Sequence, residues 1–544
     1  MNIVAVIPAR GNSKGIPRKN LRPMAGHPLI YYAIKSCLGA ASVSKVVVTT
    51  DDEEIALFAT RFGAEVIMRP TELGEDHVTL DPVISHAVDN SIVGNDIDVV
   101  VTVQPTSPLI TSEDIDGAMA RFNVESCDTV LSVVDDRHLC WSIRDGNPIP
   151  DYTERVNRQQ LPLKFKETGA IIACRKSVLL TGTRIGKSIQ LHEVARENSF
   201  DIDSLSDFYL CESLLGRKKI VFFVAGNLSI GLGHAYRAVM LANELVLNDI
   251  IFVVTEKDDL AKQYIEQSNY PLLVTSSEKA AQTIIDQRPD LVINDVLDTE
   301  LDYMLALKNF EIRTVNFEDM GLGIDEADLV INALYPITFP SKHVLSGAQY
   351  FCLRDEFLYI SLPPTNTSVQ NVLLCFGGVD EGNLSRLTLS AIAPKCAEFN
   401  IAITIVLGLG YCLNKELAVY VSNLDSNNVT LVQGTSRMSD FMAAADLAIT
   451  SGGRTVFELA SLNIPTLVIC QNDRELTHKF ASSDNGVINM GHRESVTVEQ
   501  INSTFLSVVM NKDMRDLMLE KASRIDLTSG KKRVINLIKN LMEK

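Results

Sequence analysis

Short apolar runs rich in β-branched residues recur along the first part of the chain, and most are separated by a stretch long enough for one helix. Helix-length stretches cover 29–38 and 52–62. The predicted strands are Ile3–Ile7, Lys45–Thr49, Glu65–Met68, Asp98–Val103 and Thr129–Val133. This alternation predicts βαβ units on a mostly parallel sheet, and therefore an α/β fold.

The same alternation restarts twice farther along the chain, and each restart is a strand that runs into glycines. These two strands are predicted at 220–224 and 372–375. A short segment with a basic end, 211–218, and a stretch rich in Pro, Thr, Asn and Ser, 361–370, separate the series. We predict three α/β modules, with a cleft between the last two. Their bounds are 1–217, 218–364 and 369–544.

The charge balance excludes one class of partner. The chain of 544 residues carries 50 Lys and Arg against 68 Asp and Glu, a formal net charge of −18. A protein that binds nucleic acid through its backbone needs a basic face that neutralises phosphates. We therefore expect no nucleic-acid partner. The 46% of hydrophobic residues is typical of a folded chain of enzyme size.

The cysteines and the apolar segments bear on where the protein acts. The ten cysteines are scattered and no two form a C-x-x-C pair, which favours reduced thiols in a cytoplasmic protein over disulfides or a zinc site. Residues 1–7 are apolar but have no basic region before them, so they predict a buried strand and not a signal peptide. No apolar run reaches the length that spans a bilayer, and we expect no membrane partner.

A basic loop with two glycines follows the first predicted strand. Residues 8–20 read PARGNSKGIPRKN, and four of them are Arg or Lys. Glycines let backbone N–H groups approach a ligand closely, so the natural ligand of such a loop is a polyphosphate. The spacing fits neither the Walker pattern nor the dinucleotide-binding pattern. The alternative interpretation is a solvated basic loop that binds nothing.

Residues 7–20 resemble the signature of the acylneuraminate cytidylyltransferases, the enzymes that make CMP-sialic acids. Further segments follow in the order found in that family: TDDEEIA at 50–56, RP at 69–70, QPTSPL at 104–109, GA at 169–170 and DID at 201–203. The resemblance implies a nucleotidyltransferase domain with a Rossmann-like, mostly parallel sheet. It also implies a homodimer.

In such enzymes the anomeric hydroxyl of a nonulosonic (sialic-type) acid attacks the α-phosphate of CTP, and pyrophosphate leaves. That transition state needs positive charge. By match to the motif, Arg10 and Lys19 are the expected catalytic residues. The resemblance places the other nucleotide and sugar contacts on Gly11, Asn12, Ser13, Lys14, Asn20, Arg69, Gln104 and Arg158.

Asp201 and Asp203 are two residues apart, so in an extended chain both carboxylates point the same way and can share one hard cation. Within this series of motifs the expected occupant is Mg²⁺, which would bridge the phosphates. The alternative is that these acids order a loop or cap the helix predicted to begin near Ser204.

The second module has a glycine turn with a histidine after its first strand. Residues 230–237 read IGLGHAYR, and a helix is predicted over Tyr236–Leu247. A helix N-terminus favours anions and a neutral imidazole, so His234 is a candidate base, with Gly233 and Arg237 as candidate substrate contacts. A lone histidine in a turn is otherwise more often structural.

The third module has two more glycine turns after strands. These supply candidate contacts to a nucleotide-sugar: Gly377 and Gly378 in FGGVD, and Gly452, Gly453 and Glu458 in SGGRTVFEL. A strand, a glycine turn and a helix can bind a diphosphate, while the acid accepts hydrogen bonds from ribose hydroxyls.

Together the last two modules look like the GT-B architecture, and 219–480 is similar to the UDP-sugar hydrolases of pseudaminic acid biosynthesis. That resemblance implies that His234 activates water, which releases UDP from a 2,4-diacetamido-trideoxyhexose. Two alternatives stay open for this half of the chain, a glycosyltransferase and a non-catalytic binding or dimerisation module. The type of nonulosonic acid, neuraminic, legionaminic or pseudaminic, also stays open.

Overall fold

A computed structural model of the protein describes residues 1–12, 15–75, 77–91, 96–123, 127–335, 342–360, 368–408, 410–424, 428–435 and 437–543. The chain divides into two compact units, Met1–Arg217 and Lys218–Lys544. Within the described residues, no helix is both long and apolar enough to cross a membrane.

The first unit contains a seven-stranded sheet with helices on both faces. The strands are β1 (Ile3–Pro8), β2 (Pro23–Met24), β3 (His27–Pro28), β4 (Lys45–Thr50), β5 (Glu65–Met68), β6 (Val99–Val103), β7 (Thr129–Asp135), β8 (Trp141–Arg144), β9 (Asn147–Pro150), β10 (Phe165–Arg175) and β11 (Ile189–Glu193). The helices are α1 (Ile30–Gly39), α2 (Glu53–Arg61), α3 (Leu80–Asp89), α4 (Ser112–Ala120), α5 (Lys176–Leu179) and α6 (Leu205–Leu215).

The sheet order in this unit is β11-β7-β10-β6-β1-β4-β5. Only β10 runs antiparallel to its neighbours, β6 and β7. Strand β1 lies between parallel partners and its residues alternate between two cores, Ile3, Ala5 and Ile7 on one face and Val4 and Val6 on the other. Because helices cover both faces, β1 must be apolar along its whole length. Its carboxyl end is the place where an open α/β sheet can bind a ligand.

The second unit contains two sheets, and all strand pairs in both are parallel. We call the part of the chain around the β12–β18 sheet the first lobe and the part around the β19–β24 sheet the second lobe. The first lobe has the sheet order β14-β13-β12-β15-β16-β17-β18. Its elements are β12 (Lys219–Val224), α7 (Gly233–Glu244), β13 (Asp249–Thr255), α8 (Asp259–Gln267), β14 (Leu272–Thr275), α9 (Ala280–Asp286), β15 (Leu291–Asp295), α10 (Leu301–Asn309), β16 (Arg313–Phe317), β17 (Leu329–Asn332) and β18 (Val344–Ser346).

The second lobe has the sheet order β21-β20-β19-β22-β23-β24. Its elements are β19 (Asn371–Cys375), α11 (Leu384–Glu398), β20 (Ala402–Leu407), α12 (Asn414–Ser422), β21 (Val429–Gln433), α13 (Met438–Ala443), β22 (Leu447–Thr450), α14 (Thr455–Ser461), β23 (Thr466–Cys470), α15 (Asp473–Leu476), β24 (Val487–His492), α16 (Val498–Met510) and α17 (Lys512–Ala522). The predicted α/β class, with a mostly parallel sheet followed by a two-lobed unit, is confirmed.

The last helix, α18 (Gly530–Glu543), belongs by its packing to the first lobe. Val534, Ile535 and Ile538 lie in the same buried cluster as Phe222 of β12. The predicted third module, 369–544, therefore includes a helix that packs elsewhere. The apolar face of α18 completes the core beside β12. The chain returns to the first lobe at Gly530, where a Cβ atom would lie 2.1 Å from the carbonyl oxygen of Phe351.

The close approach of Gly530 to Phe351 predicts that adding a methyl group at this position destabilises the protein. Gly530→Ala places its Cβ against the Phe351 carbonyl, so we expect the free energy of unfolding of the second unit to fall by roughly 1–3 kcal/mol. Urea unfolding followed by circular dichroism measures it. Lys532→Ala, on an exposed position of the same helix, is the control. Equal unfolding midpoints for the two variants would contradict the predicted crowding.

Candidate active sites

The loop after β1 is held in place by its own polar side chains. The Asn20 side-chain amide is buried and donates to the carbonyl oxygen of Arg10 at 2.9 Å. Arg18 adopts a left-handed backbone conformation with φ of 54° immediately before Lys19. The amide nitrogen of Asn20, a residue expected to bind the nucleotide, thus closes the loop. Two other expected contacts, Ser13 and Lys14, lie outside the described residues, whereas Asn12 is exposed.

A buried ion pair supports the loop from below. Arg69 donates to a carboxylate oxygen of Asp51 at 3.0 Å, and the same oxygen accepts the backbone N–H of Gly11 at 3.3 Å. Burial lowers the pKa of Arg69 even though Asp51 opposes this effect. Arg69 was expected at the substrate, and its Nε is buried with no hydrogen-bond partner among the described residues. Asp51 was not singled out, although the TDD motif contains it.

Lys19 lies against the pair of acids. Its ammonium donates to the carbonyl oxygen of Ile202 at 2.6 Å, between Asp201 and Asp203. Ile202 is fully buried while both aspartates are exposed, which is the alternation expected of an extended chain. A Cβ on Gly15 would lie 3.0 Å from the Asp203 carbonyl oxygen, so the basic loop and the acids are adjacent.

Helix α6 has a cap of its own that does not involve the side chains of Asp201 or Asp203. The first turn of α6 is capped by Ser204 and Asp207, whose side chains each accept the other's backbone N–H. Asp201 and Asp203 are therefore not needed as cap. Partial desolvation, with the charge of Asp203, raises the pKa of Asp201. Two carboxylates suit Mg²⁺, which commonly takes one or two protein carboxylates and completes its shell with phosphates and water.

Of the remaining expected contacts of the first unit, Gln104 directly follows β6 and Arg158 begins a short 3-10 helix. Gln104 donates through its side-chain amide to the Gly169 carbonyl at 3.0 Å, and Gly169 has a positive φ of 71°. Arg158 is exposed and donates to the Asp135 carbonyl at 3.3 Å. Hydrogen bonds from Arg137 lower the pKa of Asp135 to about 2, so this strand end carries its own ion pair.

In the second unit, His234 lies in the first turn of α7, which begins at Gly233 and not at Tyr236 as predicted. Its Nδ1 is 2.5 Å from a carboxylate oxygen of Asp295, the last residue of β15. Asp295 is fully buried and His234 is nearly so. A carboxylate on Nδ1 fixes the ring and directs Nε2 as the nitrogen that can exchange a proton with a ligand.

Arg237, expected to bind substrate, lies behind the histidine. It donates to both carboxylate oxygens of Asp295, at 2.8 and 2.6 Å, and to Glu318 at 3.0 Å. Although burial opposes its charge, the two acids raise the pKa of Arg237 above its ordinary value. The guanidinium is thereby occupied in positioning Asp295, and we correct its assignment from substrate contact to support of His234.

Glu318 completes this buried chain of charges. Its carboxylate also accepts the backbone N–H groups of Ala333 and Leu334 at 3.1 and 3.2 Å. Asp295 and Glu318 were missed by sequence reasoning. The signal that could have found them is their position, because each stands at or just after the carboxyl end of a buried parallel strand.

One of the two glycine turns of the second lobe contacts the first lobe. Gly377 has a positive φ of 76°, and a Cβ on Gly378 would lie 3.7 Å from the Cα of Gly231. At the other turn, the Gly452 N–H donates to Glu475 at 3.0 Å. The expected diphosphate donor is thus already satisfied by a carboxylate, while Gly453 is only partly buried.

Two arginines bind carboxylates near this turn. Arg354 donates to Glu458 at 3.0 Å, so the acid expected at the ribose is buried in an ion pair. Arg474 of α15 bonds Asp298 of the first lobe at 2.8 Å and also the carbonyl oxygen of Glu318. The second lobe is therefore hydrogen-bonded to the backbone of Glu318, the residue whose side chain binds Arg237.

His478 is buried beside the same turn, with its ring centroid 5.1 Å from that of Phe457. Neither ring nitrogen has a hydrogen-bond partner among the described residues. Burial therefore lowers the pKa of His478 to about 4. The imidazole is neutral at physiological pH, and the unfolded chain takes up a proton there before the folded protein does.

This burial predicts a loss of stability in acid. Because the folded pKa lies below the ordinary value, the stabilisation is present above about pH 6.5 and is lost as the pH falls toward 4. We expect His478 to account for about 2 kcal/mol of the loss between pH 8 and pH 5. Urea unfolding of His478→Asn at both pH values measures it, with the exposed His77→Asn as control. Identical pH dependence in both variants would contradict the assignment.

Two family models match the chain. Residues 4–195 match the model described as cytidylyltransferase, and residues 372–538 match the glycosyltransferase family 28 C-terminal domain. The prediction of a cytidylyltransferase domain fused to a GT-B-like unit is thereby confirmed, at the level of domains.

Known proteins match parts of the chain. N-acylneuraminate cytidylyltransferase of Escherichia coli O18:K1:H7 is 31% identical over 227 residues, 40% of this chain and 52% of that protein. Post-translational flagellin modification protein B of Campylobacter coli is 28% identical over 40% of this chain and 97% of its own length. The chain spans about half the length of the first curated relatives it matches.

Among solved structures, MurG of Acinetobacter baumannii is similar over 59% of this chain and 99% of its own, with 16% identity and a TM-score of 0.45.

Proposed function

We propose that the first unit transfers CMP from CTP to the anomeric hydroxyl of a nonulosonic (sialic-type) acid. The observation that carries this proposal is the contact of Lys19 with the Asp201–Asp203 segment beside the basic loop. In the proposed reaction the sugar oxygen forms a bond to the α-phosphorus. The bond between the α-phosphorus and the oxygen that bridges the α- and β-phosphates breaks, and pyrophosphate leaves. The hydroxyl proton is released. The name of the E. coli relative supports this reaction class.

Each charged group has a proposed task in this transfer. Arg10 and Lys19 neutralise the charge that develops on the phosphates, and the Lys19 ammonium can donate further hydrogen bonds beside the one to Ile202. Arg158 would pair with the carboxylate of the sugar acid, because an exposed guanidinium can donate two parallel hydrogen bonds to a carboxylate. Arg69 and Asp51 hold the loop at Gly11.

Asp201 and Asp203 would hold Mg²⁺, and the ion would supply charge neutralisation at the phosphates. The chain's own contribution is to present two carboxylates on one side of an extended segment, with Ile202 anchored in the core. Lys19 lies next to them, so cation and metal would act on the same triphosphate.

Removing either charge tests the first proposal. Lys19→Ala and Asp203→Ala should each lower cytidylyl transfer by at least about a hundredfold, the scale of losing a main charge stabiliser. Pyrophosphate release from CTP and Mg²⁺, with neuraminic, legionaminic and pseudaminic acids in turn, measures it and identifies the sugar. The exposed Lys187→Ala and Asp89→Ala are matched controls. Near-normal rates in both site variants would exclude this loop as the catalytic site.

For the second unit we propose hydrolysis of a UDP-2,4-diacetamido-trideoxyhexose in the cleft between the lobes. His234, oriented by Asp295, would take a proton from water through Nε2 while the water oxygen bonds to the anomeric carbon. The bond from that carbon to the diphosphate oxygen breaks, and UDP leaves. The buried chain from Glu318 through Arg237 to Asp295 supports this role, because a structural histidine requires no such orientation.

A glycosyltransferase is the second candidate for this unit. The match of 372–538 to the glycosyltransferase family 28 C-terminal domain favours it. The same histidine would then deprotonate an acceptor hydroxyl instead of water. A labelled sugar that appears as free hexose identifies the hydrolase, whereas one that appears in an acceptor identifies the transferase.

His234→Ala and Asp295→Asn test the base itself. Each should lower UDP release by at least about a hundredfold, because the first removes the proton acceptor and the second disrupts its orientation. UDP affinity should stay close to that of the wild type in His234→Ala. His77→Ala, exposed in the first unit, is the control. Unchanged turnover in His234→Ala would exclude His234 as the base, whereas no UDP release by the unsubstituted protein would favour a non-catalytic module.

A further inference from the structure

Arg454 stands between the two lobes without an ion-pair partner among the described residues. It follows the Gly452–Gly453 turn and precedes α14. A Cβ on Gly233, the first residue of α7, would lie 3.0 Å from its Cδ, so the side chain extends to the helix turn that carries His234. The residue keeps part of its surface open to solvent.

The guanidinium is held on one side only. Its Nη2 donates to the carbonyl oxygen of Cys352 at 3.0 Å, and its plane lies over the ring of Phe351, 4.7 Å from the centroid. Its Nη1 is shielded from solvent and has no hydrogen-bond partner among the described residues. A buried, charged donor without an acceptor is costly, and an oxyanion supplied by a ligand would relieve that cost.

The neighbouring acids are engaged elsewhere. Asp295 accepts from Arg237 and His234, and Glu458 accepts from Arg354. Burial and the nearby charge of Arg237 lower the pKa of Arg454. An anion that enters here would therefore meet, in Arg454, a cation whose charge is not matched by a hydrogen-bonded carboxylate among the described residues.

The turn itself offers a poor diphosphate site. The Gly452 N–H is used by Glu475, and the same carboxylate oxygen accepts the N–H of Gln471 at 2.7 Å. A ligand phosphate near these groups meets a carboxylate and not free amides. The positive charge that a nucleoside diphosphate requires must come from another group, and Arg454 is adjacent in sequence and extends toward His234.

We propose that Arg454 binds a phosphate oxygen of a nucleoside diphosphate-sugar in the cleft of the second unit, next to His234. This inference rests on the proposed use of a UDP-sugar there. A guanidinium at this place would contact the diphosphate that leaves and hold it near the reacting carbon. Arg454 would thereby increase the affinity for the nucleotide-sugar and stabilise the diphosphate as it leaves.

The test compares phosphate-bearing and phosphate-free ligands by calorimetry on the full chain, in a Lys19→Ala background that weakens nucleotide binding at the first unit. Arg454→Met should weaken UDP binding about 10- to 100-fold, the scale of a lost charged hydrogen bond. Uridine, measured by competition, should bind with unchanged affinity. Arg454→Lys, which keeps the charge, should lie between wild type and Arg454→Met. Arg524→Met, at an exposed position just after α17, is the matched control.

The outcomes separate this inference from the proposed function. UDP affinity within twofold of wild type in Arg454→Met would overturn the role of Arg454, as would an equal loss for UDP and uridine, which indicates a general change of the cleft. If Arg454→Met does not fold, Arg454→Lys decides by the same comparison. Failure of the unsubstituted cleft to bind UDP in the Lys19→Ala background would instead overturn the proposed use of a UDP-sugar.

Discussion

The ion pair between Arg237 and Asp295 is the constraint on which the second unit depends. Asp295 ends a strand with parallel neighbours on both sides, and its carboxylate is fully buried. A carboxylate in that place is tolerated only with a cation and further hydrogen bonds, and Arg237 and His234 supply both. The start of α7 therefore has to lie where these two side chains reach β15. Glu318 then balances the second half of the guanidinium.

In the first unit, the loop after β1 is fixed largely through backbone groups. The buried Asn20 amide donates to the Arg10 carbonyl oxygen, Asp51 accepts the Gly11 N–H, and Arg10 and Lys19 are themselves half-buried. The rigid parts are neutral or internally paired. Charge is thus concentrated at the open carboxyl ends of the strands, where an open α/β sheet binds its ligands.

The strands predicted from the sequence lie within one or two residues of the observed ones, because a strand covered by helices on both faces must be continuously apolar. Helix α7 was predicted to start three residues late, since Gly233 and His234 resemble a turn when taken alone. Asp295 and Glu318 were not predicted, because the strands that carry them are far apart along the chain and meet only through sheet order. Likewise, no local pattern shows that α18 packs under β12.

Four arginines of the second unit differ in what they bind. Arg237 and Arg354 each pair with two carboxylates, and Arg474 pairs with Asp298 across the lobes. Arg237 and Arg354 stabilise the architecture, since removing either leaves a buried or partly buried acid without its partner, and Arg474 links the two lobes through the exposed Asp298. Within the described residues Arg454 has no such acid. A folded protein rarely leaves a shielded charged donor unmatched, so this difference argues that the partner of Arg454 is supplied from outside the chain.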